Sequence, residues 1–199
     1  MRALLLATTN RHKLEEYYTI FSDLPLTLQS LREVHIDMDV EETGQTFAEN
    51  AQLKALAYAR ASGMLSLADD SGLEIDALGG APGVLSARFA GRDTPYEERF
   101  RLLIEQLRGL TGEQRRARFR CAIALAEPGG YCRVVEGTIE GVVAESPRGT
   151  GGFGYDPIFL LPELGRTFAE LTTEQKNRIS HRGRAAQFAR VLLEYWPDC

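Results

Sequence analysis

Aliphatic runs along the chain alternate with stretches whose apolar residues recur every three or four positions, the pattern of an α/β protein. Arg2 to Ala7 predicts a short strand, and the amphipathic run Arg11 to Phe21 predicts a helix behind the cap residues Thr8, Thr9 and Asn10. After Pro25, Leu26 to Ser30 alternates as a second strand. Thr46-Phe47-Ala48-Glu49 has the form of a capping box, and it opens a helix that runs to about Ser62, with Gly63 as its stop. The apolar run Met64 to Ala68 predicts a short buried strand that ends on Asp69 and Asp70, with Ser71-Gly72 as the turn.

Further on, Gly79 to Gly83 predicts a tight turn, and Ser86 to Phe89 predicts a return to extended structure. Thr94-Pro95-Tyr96-Glu97 reads as a second capping box, leading a helix to about Arg108. Arg116 to Glu127 alternates with Ala117, Phe119, Cys121, Ile123 and Leu125 on one face, and Pro128-Gly129-Gly130 turns it into a second strand, Tyr131 to Glu145. Arg116, Arg118 and Arg120 on the other face fit a solvated surface or part of a dimer interface. Ile158 to Leu161 predicts another strand, and Ser180 is placed to cap a terminal helix with Phe188, Ala189, Leu192 and Leu193 as its buried stripe. No repeat, linker or low-complexity segment interrupts this order, so residues 1–199 read as one domain.

Composition narrows the classes of function. With 44% hydrophobic and 26% charged residues over 199 positions, the chain can bury a sizeable core. No apolar run approaches the ~20 residues needed to span a bilayer, and the first ten residues do not form a signal segment. The expectation is a soluble, cytoplasmic protein with no membrane partner. A net charge of -5 argues against a binder of nucleic acid. Cys121, Cys132 and Cys199 match no metal or redox spacing and read as reduced thiols.

The distribution of cations is more informative. Of 23 lysines and arginines only Lys13, Lys54 and Lys176 are lysines. A compact ammonium suits a single phosphate or keto oxygen, where the planar guanidinium fork does not fit. Lys13 falls in the first turn of the first helix, whose free N–H groups and dipole favour anions; ordinary capping would also explain Thr9 and Asn10. Lys54 lies one or two turns into the second helix, beside Asn50. Of the adjacent acids, alternation along an extended chain lets only one of Asp69 and Asp70 readily face a given ligand. Such a carboxylate can hold a hard divalent cation or orient a water, and Glu42, just before a glycine and a helix start, is a candidate second ligand.

Gly149 to Gly154 satisfies Gly-x-Gly-x-x-Gly, but Tyr155-Asp156-Pro157 follows where a dinucleotide fold requires a helix, so an oxidoreductase reading fails on context. The loop instead presents Phe153, Tyr155 and Asp156, an aromatic face with an adjacent carboxylate, suited to a purine. Lys176, His181 and Arg182 gather donors suited to an oxygen-rich ligand.

Six blocks carry a family resemblance: Thr8-x-Asn10-x-x-Lys13; Glu42-Thr43-Gly44-x-Thr46-Phe47-x-Glu49-Asn50-Ala51-x-x-Lys54-Ala55; Ala68-Asp69-Asp70-Ser71-Gly72-Leu73; Gly83-x-x-Ser86-Ala87-Arg88; Phe153-Gly154-Tyr155-Asp156-Pro157-x-Phe159; and Lys176-Asn177-x-x-Ser180-His181-Arg182-Gly183. In this order, over residues 4–190, the chain resembles the noncanonical purine nucleoside triphosphate pyrophosphatases, the inosine and xanthosine triphosphatases acting on ITP, dITP and XTP. The resemblance implies an α/β fold with a mixed, twisted central sheet, flanking helices and two lobes around a substrate cleft, assembled as a homodimer. It implies Mg²⁺-dependent attack of water on the α-phosphorus of a small-molecule purine nucleoside triphosphate, giving monophosphate and pyrophosphate. By position, Thr8, Thr9, Asn10, Arg11, His12, Lys13, Lys54 and Ser71 would hold the triphosphate. Glu42 and Asp70 would hold the metal, with Asp70 also the catalytic base. Phe153, Gly154, Tyr155, Asp156, Lys176, His181 and Arg182 would bind the base. A non-catalytic purine-nucleotide sensor and a pyrophosphatase for other nucleotides are the alternatives.

Overall fold

A computed structural model of the chain describes residues 2–196; Cys199 lies outside them. The strands and helices are β1 (Arg2–Leu6), α1 (Arg11–Ile20), β2 (Leu26–Ser30), α2 (Phe47–Ser62), β3 (Ser66–Ile75), α3 (Tyr96–Gln106), β4 (Arg116–Ala126), β5 (Cys132–Val143), β6 (Phe159–Leu161), β7 (Arg166–Thr167), α4 (Thr173–Ile179) and α5 (His181–Glu194). The seven strands form one mixed sheet in the order β2-β1-β3-β4-β5-β6-β7. β2, β1 and β3 run parallel, whereas β5, β6 and β7 pair antiparallel. By internal contacts the chain divides into two compact units. One holds the described residues of Met1–Asp70, Cys121–Gly137 and His181–Cys199; the other holds Ser71–Arg120 and Thr138–Ser180.

In the first unit, β1 carries Leu4, Leu5 and Leu6 fully buried, and the core continues through Tyr17 of α1, Phe21 just after it, and Leu65 and Leu67. Parallel neighbours need crossovers, supplied by α1 between β1 and β2 and by α2 between β2 and β3. Because β1 lies between β2 and β3, the chain leaves β1 toward opposite edges, the switch point at which α/β sheets bind ligands. Thr46 caps α2 with the reciprocal Glu49 bond its spacing predicts, and Gly63 ends it.

α5 packs at unusually close range. A Cβ placed on Gly137 would lie 2.2 Å from the His181 carbonyl and 2.4 Å from the Ala185 nitrogen. Only a residue without a side chain lets the helix approach so closely, which fixes the start of α5 against β5. Small residues therefore make the contact face, with Ala185, Ala186, Ala189 and Leu193 buried. This corrects the predicted stripe at Phe188, which is 59% exposed.

In the second unit, Leu73, Ile75, Phe100, Leu103, Phe119, Tyr155, Phe159 and Phe168 form the core. The guanidinium of Arg115 is clamped by the carbonyls of Leu107, Val143 and Ala144, and that of Arg99 by those of Ser86, Ala87, Gly91 and Arg92.

Three local expectations fail for identifiable reasons. Ser86 to Phe89 is not extended: Gly83–Arg88 is a 3-10 helix in which Ser86 donates to the Gly83 carbonyl and accepts from the Leu73 N–H. Thr94 does not cap α3; its hydroxyl donates to the Ala90 carbonyl instead, and the helix starts behind Pro95 at Tyr96. The strand expected to end at Ala68 runs on through both acids and the Ser-Gly pair to Ile75.

Candidate active site

β1 stops at Leu6, registered against Leu67 of β3, with one further bond from the Ala7 N–H to the Leu67 carbonyl. β3 then continues past the end of β1, so Ala68, Asp69 and Asp70 extend beyond the carboxyl terminus of that neighbouring strand. The acid pair is thus at a parallel strand end after all, but at the end of β1, not of its own strand.

Both acids are buried, Asp69 at 2% and Asp70 at 7% exposure. Alternation divides their partners. Asp70 faces α2: its Oδ2 accepts from Asn50 Nδ2 at 3.0 Å, and its Oδ1 lies 3.8 Å from Lys54 Nζ. Lys54 in turn donates to Glu42 Oε1 at 2.5 Å. One ammonium therefore sits between two carboxylates. Asn50 ties the arrangement to the loop, since its Oδ1 accepts from the Gly44 N–H at 2.8 Å. A Cβ on Gly44 would meet that same oxygen at 2.7 Å. Asn50 is completely buried, and its bridging role was not assigned from the sequence, although it stands in one of the matched blocks beside Lys54.

The electrostatics follow the geometry. Burial pushes the Asp70 carboxyl above its ordinary pKa and Glu42 adds to this, against the opposing effects of Lys54, Lys13 and the Asn50 amide. Burial works against the Lys54 charge, but Asp70, Asp69 and Glu42 outweigh it and raise the ammonium pKa.

Asp69 faces the other way. Its Oδ1 lies 3.1 Å from Lys13 Nζ, and its Oδ2 accepts from Arg182 Nε at 3.2 Å and Nη2 at 3.1 Å. The Cys121 thiol points at the same oxygen from 3.7 Å. Arg182 Nη1 donates to Glu16 Oε2 at 2.7 Å. Burial opposes the charge on Asp69, yet Lys13, Arg182 and Lys54 together hold its carboxyl below the usual carboxylate range. The α1 cap is as expected: Asn10 accepts from the His12 and Lys13 N–H groups. The Asn10 N–H donates to the Thr8 hydroxyl at 3.2 Å. Arg11 and His12 are exposed, and Arg11 pairs with Glu15.

The second unit holds the remaining group. Lys176 Nζ donates to Asp156 Oδ2 at 2.7 Å, and the same oxygen accepts from the Phe153 N–H at 2.8 Å. The ammonium stands 4.5 Å from the Phe153 ring centroid, within cation-π range. A Cβ on Gly152 would collide with Asp156 Oδ2 at 2.1 Å, at a φ of 69°. The glycine loop is therefore a wrap around a carboxylate, and Pro157 begins no helix beyond a single 3-10 turn. Tyr155 is core: it donates to the Ser86 carbonyl at 2.8 Å, and burial pushes its pKa up to about 12. Gly154 has a φ of 62°. His181 opens α5 in the first unit and is buried, and Ser71 is half-buried on β3.

Two carboxylates bridged by a lysine are hard oxygen donors of the kind magnesium uses when substrate phosphates complete its shell. Among the described residues there is no cluster of three or more acidic, histidine or cysteine side chains that could hold a metal unaided. The two carboxylates fit a divalent cation that completes its shell with a ligand's phosphate oxygens.

Fold and site together define an α/β protein whose acid, lysine and amide groups converge past the end of a parallel strand. The model of the Ham1 family matches residues 4–191, and the chain belongs to that family. It is 51% identical over 198 residues to a dITP/XTP pyrophosphatase of Geobacillus kaustophilus, covering 100% of this chain and 96% of that protein. It is equally 51% identical over 195 residues to a dITP/XTP pyrophosphatase of Thermus thermophilus, covering 98% and 92%. Among solved structures, the Ham1 protein of Coxiella burnetii matches with a TM-score of 0.88 at 44% identity, covering 98% of this chain and 100% of that one. The Staphylococcus aureus Ham1 protein matches at 0.87 and 41% identity, again over 98% and 100%.

Proposed function

We propose that the chain is a Mg²⁺-dependent pyrophosphatase of noncanonical purine nucleoside triphosphates, converting dITP, ITP and XTP to the monophosphate and pyrophosphate. The names of relatives at about half identity over the whole chain support the reaction. The observation that carries it at the level of residues is the Asp70 carboxylate held between Asn50 and Lys54, with Glu42 on the far side of the lysine.

Hydrolysis of a phosphoanhydride asks a protein mostly for positioning and charge neutralisation. The α1 N-terminus, with Thr8, Thr9, Asn10 and Lys13, supplies N–H groups, hydroxyls and an ammonium to the phosphates, and Lys54 and Ser71 add to them. Asp70, with its pKa raised, is suited to take a proton from the attacking water. Magnesium held by Glu42 and Asp70 would neutralise phosphate charge beside that water. Phe153 offers a stacking face. Lys176 places an ammonium beside that face, and a 6-keto purine offers it an acceptor where adenine presents an amino group. Burying a donor against the wrong edge can discriminate by about 10⁴-fold. This reading carries with it a homodimer and a cytoplasmic location.

The test is to incubate ITP and ATP separately with enzyme and Mg²⁺ and resolve the products by phosphorus NMR. Inosine monophosphate with pyrophosphate, and slow turnover of ATP, is the expected result. Free phosphate with a nucleoside diphosphate, or equal turnover of ATP, refutes the proposal, and size-exclusion with light scattering tests the dimer.

A further inference from the structure

We infer that Asp69, the acid that faces away from Asp70, is a positioning residue for the triphosphate: it holds Lys13 in place, and Arg182 lets it do so without cancelling the lysine's charge. The inference rests on the proposed pyrophosphatase reading and assigns a role to a residue outside the phosphate and metal contacts given above.

Four charges form a closed path that leaves α1 and returns to it. Lys13 Nζ meets Asp69 Oδ1 at 3.1 Å, Arg182 binds Asp69 Oδ2 through two nitrogens at 3.1 and 3.2 Å, and Arg182 Nη1 meets Glu16 Oε2 at 2.7 Å. Lys13 and Glu16 are three residues apart on α1, hence neighbours on one face. The first two turns of α1 are therefore pinned to β3 through the lysine and to α5 through the glutamate. The interior of the path is dry: the side chains of Asp69 and Arg182 are 0% and 1% exposed, Glu16 8%, whereas Lys13 keeps 14%. The lysine is the one member with an outward side.

A long flexible ammonium loses rotamer entropy when it meets a phosphate, and a carboxylate that already fixes it lowers that cost. A lone carboxylate would do so at the expense of the lysine's field. Here the two-nitrogen contact from Arg182 compensates Asp69 from behind, and Lys13 meets the carboxylate as an ion pair while keeping an exposed side. The pair of acids thus divides its labour by strand alternation, Asp70 toward water and metal, Asp69 toward the lysine that receives phosphate.

This makes a prediction opposite in sign to simple charge counting. Asp69→Asn makes the site more positive, so if Asp69 were only a counter-charge, anions would bind more tightly. The positioning role instead predicts weaker binding. Steady-state kinetics with ITP and calorimetry with inorganic pyrophosphate are read on Asp69→Asn, Asp69→Glu, Lys13→Ala and the double variants, with thermal melts to confirm folding. For Asp69→Asn the expected result is an increase of about tenfold in KM and in the pyrophosphate Kd with kcat within about threefold, the signature of lost uniform binding. Asp69→Glu recovers most of it, and Lys13→Ala adds little in the Asp69→Asn background because both remove one contact. Tighter pyrophosphate binding, an unchanged KM, or additive effects of Asp69 and Lys13 overturn the inference. Should Asp69→Asn fail to fold, the cycle of Asp69→Ser with Lys13→Ala takes its place, coupling supporting the inference and additivity overturning it. Wild-type turnover of ITP distinguishes failure here from failure of the pyrophosphatase reading: if wild type makes inosine monophosphate and pyrophosphate, only the role of Asp69 is at stake.

Discussion

Asn50 and Asp70 are joined by one hydrogen bond of 3.0 Å from amide to carboxylate, and the other end of the same amide receives the Gly44 N–H. A single buried side chain thereby fixes the candidate base and the loop that carries Glu42. Asn50→Ala takes the acceptor from the half-buried Gly44 N–H and a donor from the buried Asp70 carboxylate, a cost of about 1–3 kcal/mol. The expected outcome is a lower Tm and a kcat reduced by about 10-fold or more, since misplacement of a catalytic group by an ångström costs on the order of 10²-fold. Calorimetry and ITP kinetics check both.

Asp70 has a raised pKa in the fold, first from burial and then from Glu42. The folded protein therefore binds this proton more tightly than the unfolded chain. Stability from this group is present below the unfolded pKa of about 3.9 and is lost as pH rises through the folded value. At neutral pH without metal the charged Asp70 is thus a cost, and Asp70→Asn is expected to raise Tm in EDTA while lowering kcat by roughly 10²–10⁴-fold. A carboxyl titration followed by carbon NMR in the metal-free protein should place Asp70 above the ordinary aspartate range; a value at or below it refutes the assignment.

Lys176 and Asp156 form a pair 4% and 2% exposed. Lys176→Met strands a buried carboxylate, a loss of about 3–5 kcal/mol when one partner of such a pair is removed. At about 2–4 °C per kcal/mol for a chain of this size, Tm should fall by more than about 6 °C. Lys176→Met with Asp156→Asn should recover much of that stability and none of the preference for ITP over ATP, a separation that thermal melts and kinetics resolve.

Gly137→Ala would set a methyl group 2.2 Å from the His181 carbonyl, and backbone cannot yield as a flexible side chain can. Overpacking of this kind costs about 1–3 kcal/mol or more. The variant should melt earlier, and ITP turnover should also fall because the start of α5 carries His181 and Arg182; denaturant titration and kinetics test the two effects.

The sequence by itself determined what local chemistry governs. The Thr46 and Glu49 capping box, the Gly63 stop and the Asn10 cap follow from contacts within one turn of chain, and they form as their spacing predicts. The alternation that separates Asp69 from Asp70 is equally local, as is the conflict between Pro157 and a dinucleotide fold. Tertiary structure decided the rest. Where β3 ends depends on sheet neighbours and not on its own composition, so the Ser71-Gly72 pair, a turn signal in isolation, stays in a strand. Of the expected α5 stripe, Ala189 and Leu193 are buried and Leu192 packs against the core, whereas Phe188 turns outward; the face is set by Gly137, some fifty residues upstream, where α5 packs closely at His181 and Ala185. Most of all, Arg182 lies 113 residues from Asp69 and 166 from Glu16, and no spacing rule connects them. Desolvated charges must find partners wherever the fold places them, so that ring of charges, and the orientation it gives Lys13, exists only once the strands and helices are packed.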